Sequence, residues 1–187
     1  MNPFIPKGIR SDAKLVRKLF DPAIPQVPTR HGYGEGIVEA AERDDRVVVL
    51  CADLTESTRN AEFKARFPDR FVQVGVQEQL LAAAAAGFAL AGKVPFITSY
   101  AMFCPGRAWE QVRTNICLNE ANVKIVGSHA GVSVGPDGST HQAVEDIAIM
   151  RVIPRMTVVA PCDALEARKA TLAAAAMKGP CYVRYAR

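Results

Sequence analysis

Aromatic residues are scarce in this sequence, at 7% with a single tryptophan, and the formal charge is only +4 over 187 residues. The basic residues are spread along the chain and are not interleaved with aromatics, which argues against a nucleic-acid surface. Close cysteine pairs are also missing. Cys51, Cys104, Cys117, Cys162 and Cys181 form an odd, dispersed set, which speaks against a disulfide framework or a zinc site and for free thiols in a reducing compartment. No apolar core follows the scattered Lys7, Arg10 and Lys14, so the N-terminus does not read as a signal peptide. The one membrane-like stretch, Leu80 to Ala91, is rich in alanine and well short of the ~20 residues that span a bilayer. These absences together indicate a soluble, cytoplasmic protein.

What is present is an ordinary globular composition, 49% hydrophobic and 22% charged, in a chain long enough for one domain with a real core. Residues 1–29 read as an arm or linker. Pro3, Pro6, Pro22, Pro25 and Pro28 block regular structure there, apart from one short helix over Asp12–Phe20 capped by Ser11. From Arg30 to Arg187 the pattern alternates. Short apolar runs predict strands over Arg46–Cys51, Phe71–Val74, Pro95–Ser99, Val123–Ser128, Met156–Ala160 and Cys181–Tyr185. Helices are expected over Gly34–Arg43, Thr58–Phe67, Gln77–Ala91, Arg107–Leu118, Gln142–Met150 and Ala164–Met177. Strands separated by helices require right-handed crossovers, which predicts an α/β domain: a mostly parallel sheet in a three-layer α/β/α sandwich.

In such sheets ligands bind beyond the carboxyl ends of the strands. Asp53, Glu78, Tyr100, Phe103 and His129 all follow predicted strands and are candidates for a single rim. Glu78 is the most informative, because it sits where an extended segment gives way to a long helix of small residues. A carboxylate there is near the positive end of a helix dipole and is placed to be partly buried, so it needs a partner. The local residues leave two readings open, a helix-trimming glutamate or a group that meets a cofactor. Ser128–Gln142 is a glycine-rich loop carrying His129, Asp137 and His141, and histidine is the natural proton-transfer side chain near neutral pH. No third ligand lies at metal-site spacing, so no metal site is expected. Tyr100 and Phe103 can be core, or can wall a slot for a flat heterocycle. Asp53-Leu54-Thr55-Glu56-Ser57 reads first as a helix-capping segment, with Asp53 also placed for ligand work.

Taken in order, Ala52-Asp53-Leu54-Thr55, Phe67-Pro68-Asp69-Arg70-Phe71, Gly75-Val76-Gln77-Glu78-Gln79, Ala86–Gly92, Asp137-Gly138-Ser139-Thr140-His141-Gln142 and Gly179-Pro180 resemble the pyrimidine-binding domain of transketolases and related thiamine-diphosphate enzymes. Each motif is weak alone, and the ordered set is specific. The resemblance runs from about Thr29 to Arg187 and is similar to the C-terminal half of transketolases encoded as two chains. It implies that Glu78 hydrogen-bonds the aminopyrimidine ring and so activates thiamine diphosphate, that Phe103 stacks on that ring with Tyr100 beside it, and that Asp53 lies near the cofactor and a subunit interface. His141 and Asp137 match residues that contact the sugar near the reacting carbons. Arg30, Ser57, His129 and Arg187 match the set that grips the sugar phosphate, a task suited to the arginine fork. Glu78, His129 and His141 are then the expected catalytic residues.

The sequence departs from the family pattern in places. Ser139 replaces the usual proline of its loop, and Gly106 stands where many relatives carry a further aromatic. No Gly-Asp-Gly…Asn segment for the diphosphate is present. The resemblance therefore implies a diphosphate-binding partner chain that holds Mg2+ (or Ca2+), in a homodimer or heterotetramer acting on phosphosugars. A deoxyxylulose-phosphate synthase-like component and a non-catalytic assembly subunit with the same fold are the alternatives. Ser128-His129-Ala130-Gly131 favours the transketolase reading.

Overall fold

A computed structural model describes residues 21–187. The helix expected over Asp12–Phe20, and most of the expected N-terminal arm, lie outside the described residues. Asp21–Pro28 is irregular and leads into the first helix.

The elements alternate along the chain: α1 (Thr29–Arg43), β1 (Val47–Cys51), α2 (Ala61–Arg66), β2 (Phe71–Gln73), α3 (Glu78–Leu90), β3 (Val94–Tyr100), α4 (Trp109–Gln111, continuing as a π-turn over Val112–Cys117), β4 (Lys124–Ser128), α5 (Asp146–Arg151), β5 (Thr157–Val159), α6 (Ala164–Ala176) and β6 (Cys181–Arg184). The six strands form one sheet in the order β2-β1-β3-β4-β6-β5, and every pairing is parallel. The sheet is thus wholly parallel, as its continuous apolar strands require when helices cover both faces. β1 and β4 are buried along their full length.

Alternate residues of each strand feed two separate cores. Val48, Leu50, Ile97, Ile125 and Tyr182 face α3, the π-turn and α5, where they meet Leu81, Ala82, Ala85, Ile116 and Met150. Val47, Val49, Phe96, Val126 and Val183 face α1, α2 and α6, where they meet Tyr33, Ile37, Phe63, Ala167 and Ala174. Among the described residues no helix is long and apolar enough to cross a membrane. Cys51, Cys104, Cys117 and Cys181 are buried free thiols, and Cys162 is exposed.

Besides the helix expected over Arg107–Leu118, of which only Trp109–Gln111 is α-helical, three helices differ from the sequence expectation. α1 starts at Thr29 and not at Gly34, because Gly32, Gly34 and Gly36 are helical despite their poor propensity. They are there for contact: a Cβ on Gly32 would overlap the Ala164 carbonyl, and one on Gly36 would press on Thr171 and Arg168 of α6. The helix expected over Thr58–Phe67 shrinks to Ala61–Arg66, because Thr58 and Asn60 turn inward to build a buried polar network. The helix expected from Gln142 begins at Asp146, because Ala143 pairs with Gly131 in an antiparallel bridge.

Candidate active site at the carboxyl edge of the sheet

β3 ends at Tyr100, and the chain then turns tightly back on itself through Phe103 and Arg107. The Arg107 N–H donates to the Phe103 carbonyl (2.9 Å), a helical turn that places the two side chains together. Gly106 serves this turn, since a Cβ there would overlap the Met102 carbonyl. The rings of Tyr100 and Phe103 lie nearly parallel (19°) with centroids 6.4 Å apart. His141 meets the edges of both, at 5.0 Å from Phe103 and 6.1 Å from Tyr100, and the His129 ring lies 4.0 Å from Tyr100. Four rings from three segments therefore form one cluster.

Glu78 is the first residue of α3 and only 2% exposed. The N-cap residue Gln77 makes no side-chain cap bond, and the partner of the Glu78 carboxylate is neither a cap nor a backbone amide. Arg107 Nη1 donates to Glu78 Oε2 at 2.9 Å, and the Arg107 guanidinium also lies over the Phe103 ring, 4.9 Å from its centroid. Arg107 thus joins Glu78 to the ring cluster. The buried Cys104 thiol nearby is pushed up to about 12 by burial and by the Glu78 charge.

A second, basic cluster flanks the rings. His129 follows β4, is 1% exposed and holds a positive φ of 55°. Arg30 Nη1 lies 2.7 Å from its Nε2, and Ser128 Oγ lies 2.9 Å from its Nδ1. An arginine can only donate, so Nε2 accepts and the imidazole proton is assigned to Nδ1, which donates to Ser128. Burial, reinforced by Arg30 and Arg187, pushes the imidazole down to about 4. His129 is therefore neutral at neutral pH. Burial and the charges of Arg59 and Arg187 also push Arg30 below its ordinary range, and its buried Nε has no partner. Three arginines within electrostatic reach, one with an orphaned donor, make a site that suits an anion.

Local structure fixes this cluster. Arg30 Nη1 also donates to the Ser57 carbonyl (3.3 Å), so Ser57 contributes backbone here. The Ser57 segment is pinned by Asn60, which donates to Thr58 Oγ1 (2.7 Å) and Thr98 Oγ1 (2.8 Å) and accepts from the Tyr33 hydroxyl (2.9 Å). Arg187 Nη1 donates to the Val134 carbonyl (2.7 Å) and so ties the chain end to the histidine loop. Asp137 is exposed on that loop, and Thr140 Oγ1 lies 2.9 Å from His141 Nδ1.

Asp53 stands somewhat apart. It is exposed at the end of β1 with φ 59°, and its N–H donates to Gln73 Oε1 (2.7 Å). It does not cap a helix: α2 begins after Asn60, so the capping reading of residues 53–57 is corrected. The sequence reading missed Arg107, His31 and Arg59. The spacing of Phe103 and Arg107 was the available signal, since residues four apart share a helical face. His31 lies in the part of α1 hidden by the glycines. Its Nε2 is 2.6 Å from Arg59 Nη2, beside an open groove of about 380 Å3 also lined by Glu35, Glu56 and Glu62. Among the described residues no group of three or more His, Cys, Asp or Glu side chains is arranged to hold a metal ion.

The family model for the transketolase pyrimidine-binding domain matches residues 25–187. The chain belongs to that family. Transketolase-family relatives include the putative transketolase C-terminal section of Methanocaldococcus jannaschii, 48% identical over 158 residues that cover 84% of this chain and 50% of the relative. Another is the 6-deoxy-6-sulfo-D-fructose transketolase subunit SqwH of Clostridium sp., 39% identical over 84% of this chain and 49% of its own length. Among solved structures, a split-gene transketolase described as an inactive beta4 tetramer superposes with a TM-score of 0.77 at 42% identity, covering 87% of this chain and 52% of that one. The chain thus spans about half the length of these relatives. The expected α/β fold and the transketolase resemblance hold.

Proposed function

We propose that this chain is the pyrimidine-binding component of a thiamine-diphosphate-dependent transketolase, and that a diphosphate-binding partner chain completes its active site for transfer of a two-carbon ketol unit between phosphosugars. The observation that carries the reading is Glu78, an acid 2% exposed at the first turn of α3 and joined through Arg107 to a ring cluster. A buried acceptor beside flat aromatic faces fits an aminopyrimidine, which needs one hydrogen bond at its ring nitrogen and a stacking surface. Bound thiamine diphosphate supplies the carbon nucleophile of the reaction.

The chain's own residues take the remaining tasks. Glu78 holds a proton at the pyrimidine ring nitrogen, and Phe103, with Tyr100, orients the ring. Arg30 and Arg187 receive the sugar phosphate, with His129 and the Ser57 segment holding the Arg30 guanidinium in place. The orphaned Arg30 Nε supports this assignment, since it is a buried donor for which an anion is the natural acceptor. His141 sits against both aromatic rings and, with Asp137, faces the reacting end of the sugar. Asp53 lies at the open strand end, on the side of the partner chain. Mg2+ (or Ca2+) and the diphosphate are assigned to the partner. Residues 30–187 act as one domain. The split-gene relatives support the two-chain arrangement.

The test is to mix the chain with its partner, thiamine diphosphate and magnesium and to assay ketol transfer between phosphosugars, with pyruvate as a competing donor. Activity is expected with a ketose donor and is expected to fall at least about 100-fold in Glu78→Ala. Full activity in that variant would sink the mechanism, and turnover of pyruvate would point to the synthase-like alternative.

A further inference from the structure

Arg107 holds both features that a pyrimidine ring would need. Its Nη1 is bonded to Glu78 Oε2 at 2.9 Å, and its guanidinium covers the Phe103 ring at 4.9 Å from the centroid. The ring neighbours of Phe103 are Tyr100, nearly parallel, and His141, edge-on. Tyr100 and His141 are themselves packed into the ring cluster, whereas the Arg107 side chain is 51% exposed. It is the long, flexible and half-solvated member of the group, and so the one that moves at least cost.

We infer that Arg107 is a stand-in for the cofactor's pyrimidine: it pairs Glu78 and covers Phe103, and it is exchanged outward when the ring enters. The inference rests on the reading of Glu78 and Phe103 proposed above. A buried carboxylate left without a partner is strongly destabilising, so Glu78 needs a donor until the ring enters. A flat guanidinium suits this task, because it both donates to a carboxylate and stacks on an aromatic face. On exchange, a ring donor replaces an arginine donor at Glu78, and one planar group replaces another at Phe103. Arg107 is then a positioning residue that stabilises the buried Glu78 carboxylate and, by competition, weakens cofactor binding.

The test uses the full chain assembled with its partner and follows thiamine diphosphate binding in saturating magnesium by calorimetry. Arg107→Gln should lower the melting temperature of the cofactor-free assembly and tighten the dissociation constant about tenfold. In a Glu78→Gln background the same change should no longer tighten binding, since the contested carboxylate is gone. Arg107→Lys keeps a cation without the flat guanidinium and should tighten binding to a lesser degree, which decides the matter should Arg107→Gln fail to fold. Unchanged or weaker binding in these variants would mean that Arg107 stays on Glu78 in the loaded site, and would overturn the inference alone. A wild-type assembly that binds no thiamine diphosphate would overturn the underlying reading of Glu78 as well.

Discussion

Acidification should destabilise this protein through one imidazole. His129 is 1% exposed, its Nε2 faces Arg30 Nη1 at 2.7 Å, and its Nδ1 proton is committed to Ser128. A second proton would have to sit on Nε2, against a guanidinium that also donates. Burial comes first among the causes and the charges of Arg30 and Arg187 follow, holding the group at about 4 against 6.5 for an unhindered histidine. Because the folded value lies below the unfolded one, His129 contributes nothing above pH 6.5, where neither state binds the proton. Between 6.5 and about 4 the unfolded chain takes up a proton that the native chain refuses, and stability falls as pH falls. At about 1.4 kcal/mol per pH unit, the whole window is worth on the order of 3 kcal/mol.

Carboxylates titrate at the lower end of the same range, so the comparison is between the wild-type chain and His129→Asn. Urea denaturation at pH 8, 6.5, 5.5 and 4.5 should show the wild type losing about 2 to 3 kcal/mol more than the variant between pH 6.5 and 4.5. The imidazole resonance of His129 should stay at its neutral position down to about pH 5, and 10 mM inorganic phosphate should move its titration upward, because an anion between Arg30 and Arg187 offsets their repulsion. Parallel losses in the two proteins, or a titration of His129 centred near 6.5, would refute the reasoning.

The seam between α1 and α6 gives a second prediction: Gly32→Ala drives a methyl into the Ala164 carbonyl and should cost about 1 to 3 kcal/mol, visible as a lowered melting temperature, while no change would mean that the helices part freely. A third concerns the buried acid of α5. The Tyr182 hydroxyl and Arg184 Nε both donate to Asp146 Oδ2 (2.7 and 2.9 Å), and Asp146 Oδ1 is buried without a partner. Tyr182→Phe should therefore cost about 1 to 3 kcal/mol in urea denaturation, and a change below about 0.5 kcal/mol would show that Arg184 alone satisfies the carboxylate.

All six strands were readable from the sequence as short apolar runs; a strand covered on both faces is apolar along its length, as Val47–Cys51 is, and β4 follows the same rule over Ile125–Gly127. Lys124 is the exception that shows the limit. It lies within a buried strand, and its Nζ is satisfied by Asn122 and by the carbonyls of Met177 and Gly179, which arrive from far along the chain. Helix bounds were less legible for the same reason. The glycines of α1 look like breakers until α6 lies against them, and Thr58 and Asn60 look helical until Tyr33 and Thr98 claim the Asn60 side chain, which also donates to Thr58.

The site repeats this division. Positions just after strands could be read from order alone, since every parallel strand delivers its end to one edge, and Tyr100, Phe103 and His129 meet there. The partner of Glu78 could not be read that way. Propensity and dipole arguments search within a few residues, and they offer Glu78 a backbone amide or a ligand; the structure supplies Arg107, 29 residues away. Two conditions bring it there. β1 lies between β2 and β3, so the turn after β3 faces the start of α3, and that turn is tight enough only because Gly106 has no side chain. A buried charge reports on where two elements meet, and a hydrophobic pattern reports on which side of one element is covered. The first depends on strand order and the second does not, so Glu78 was visible as an anomaly before its counter-ion could be named.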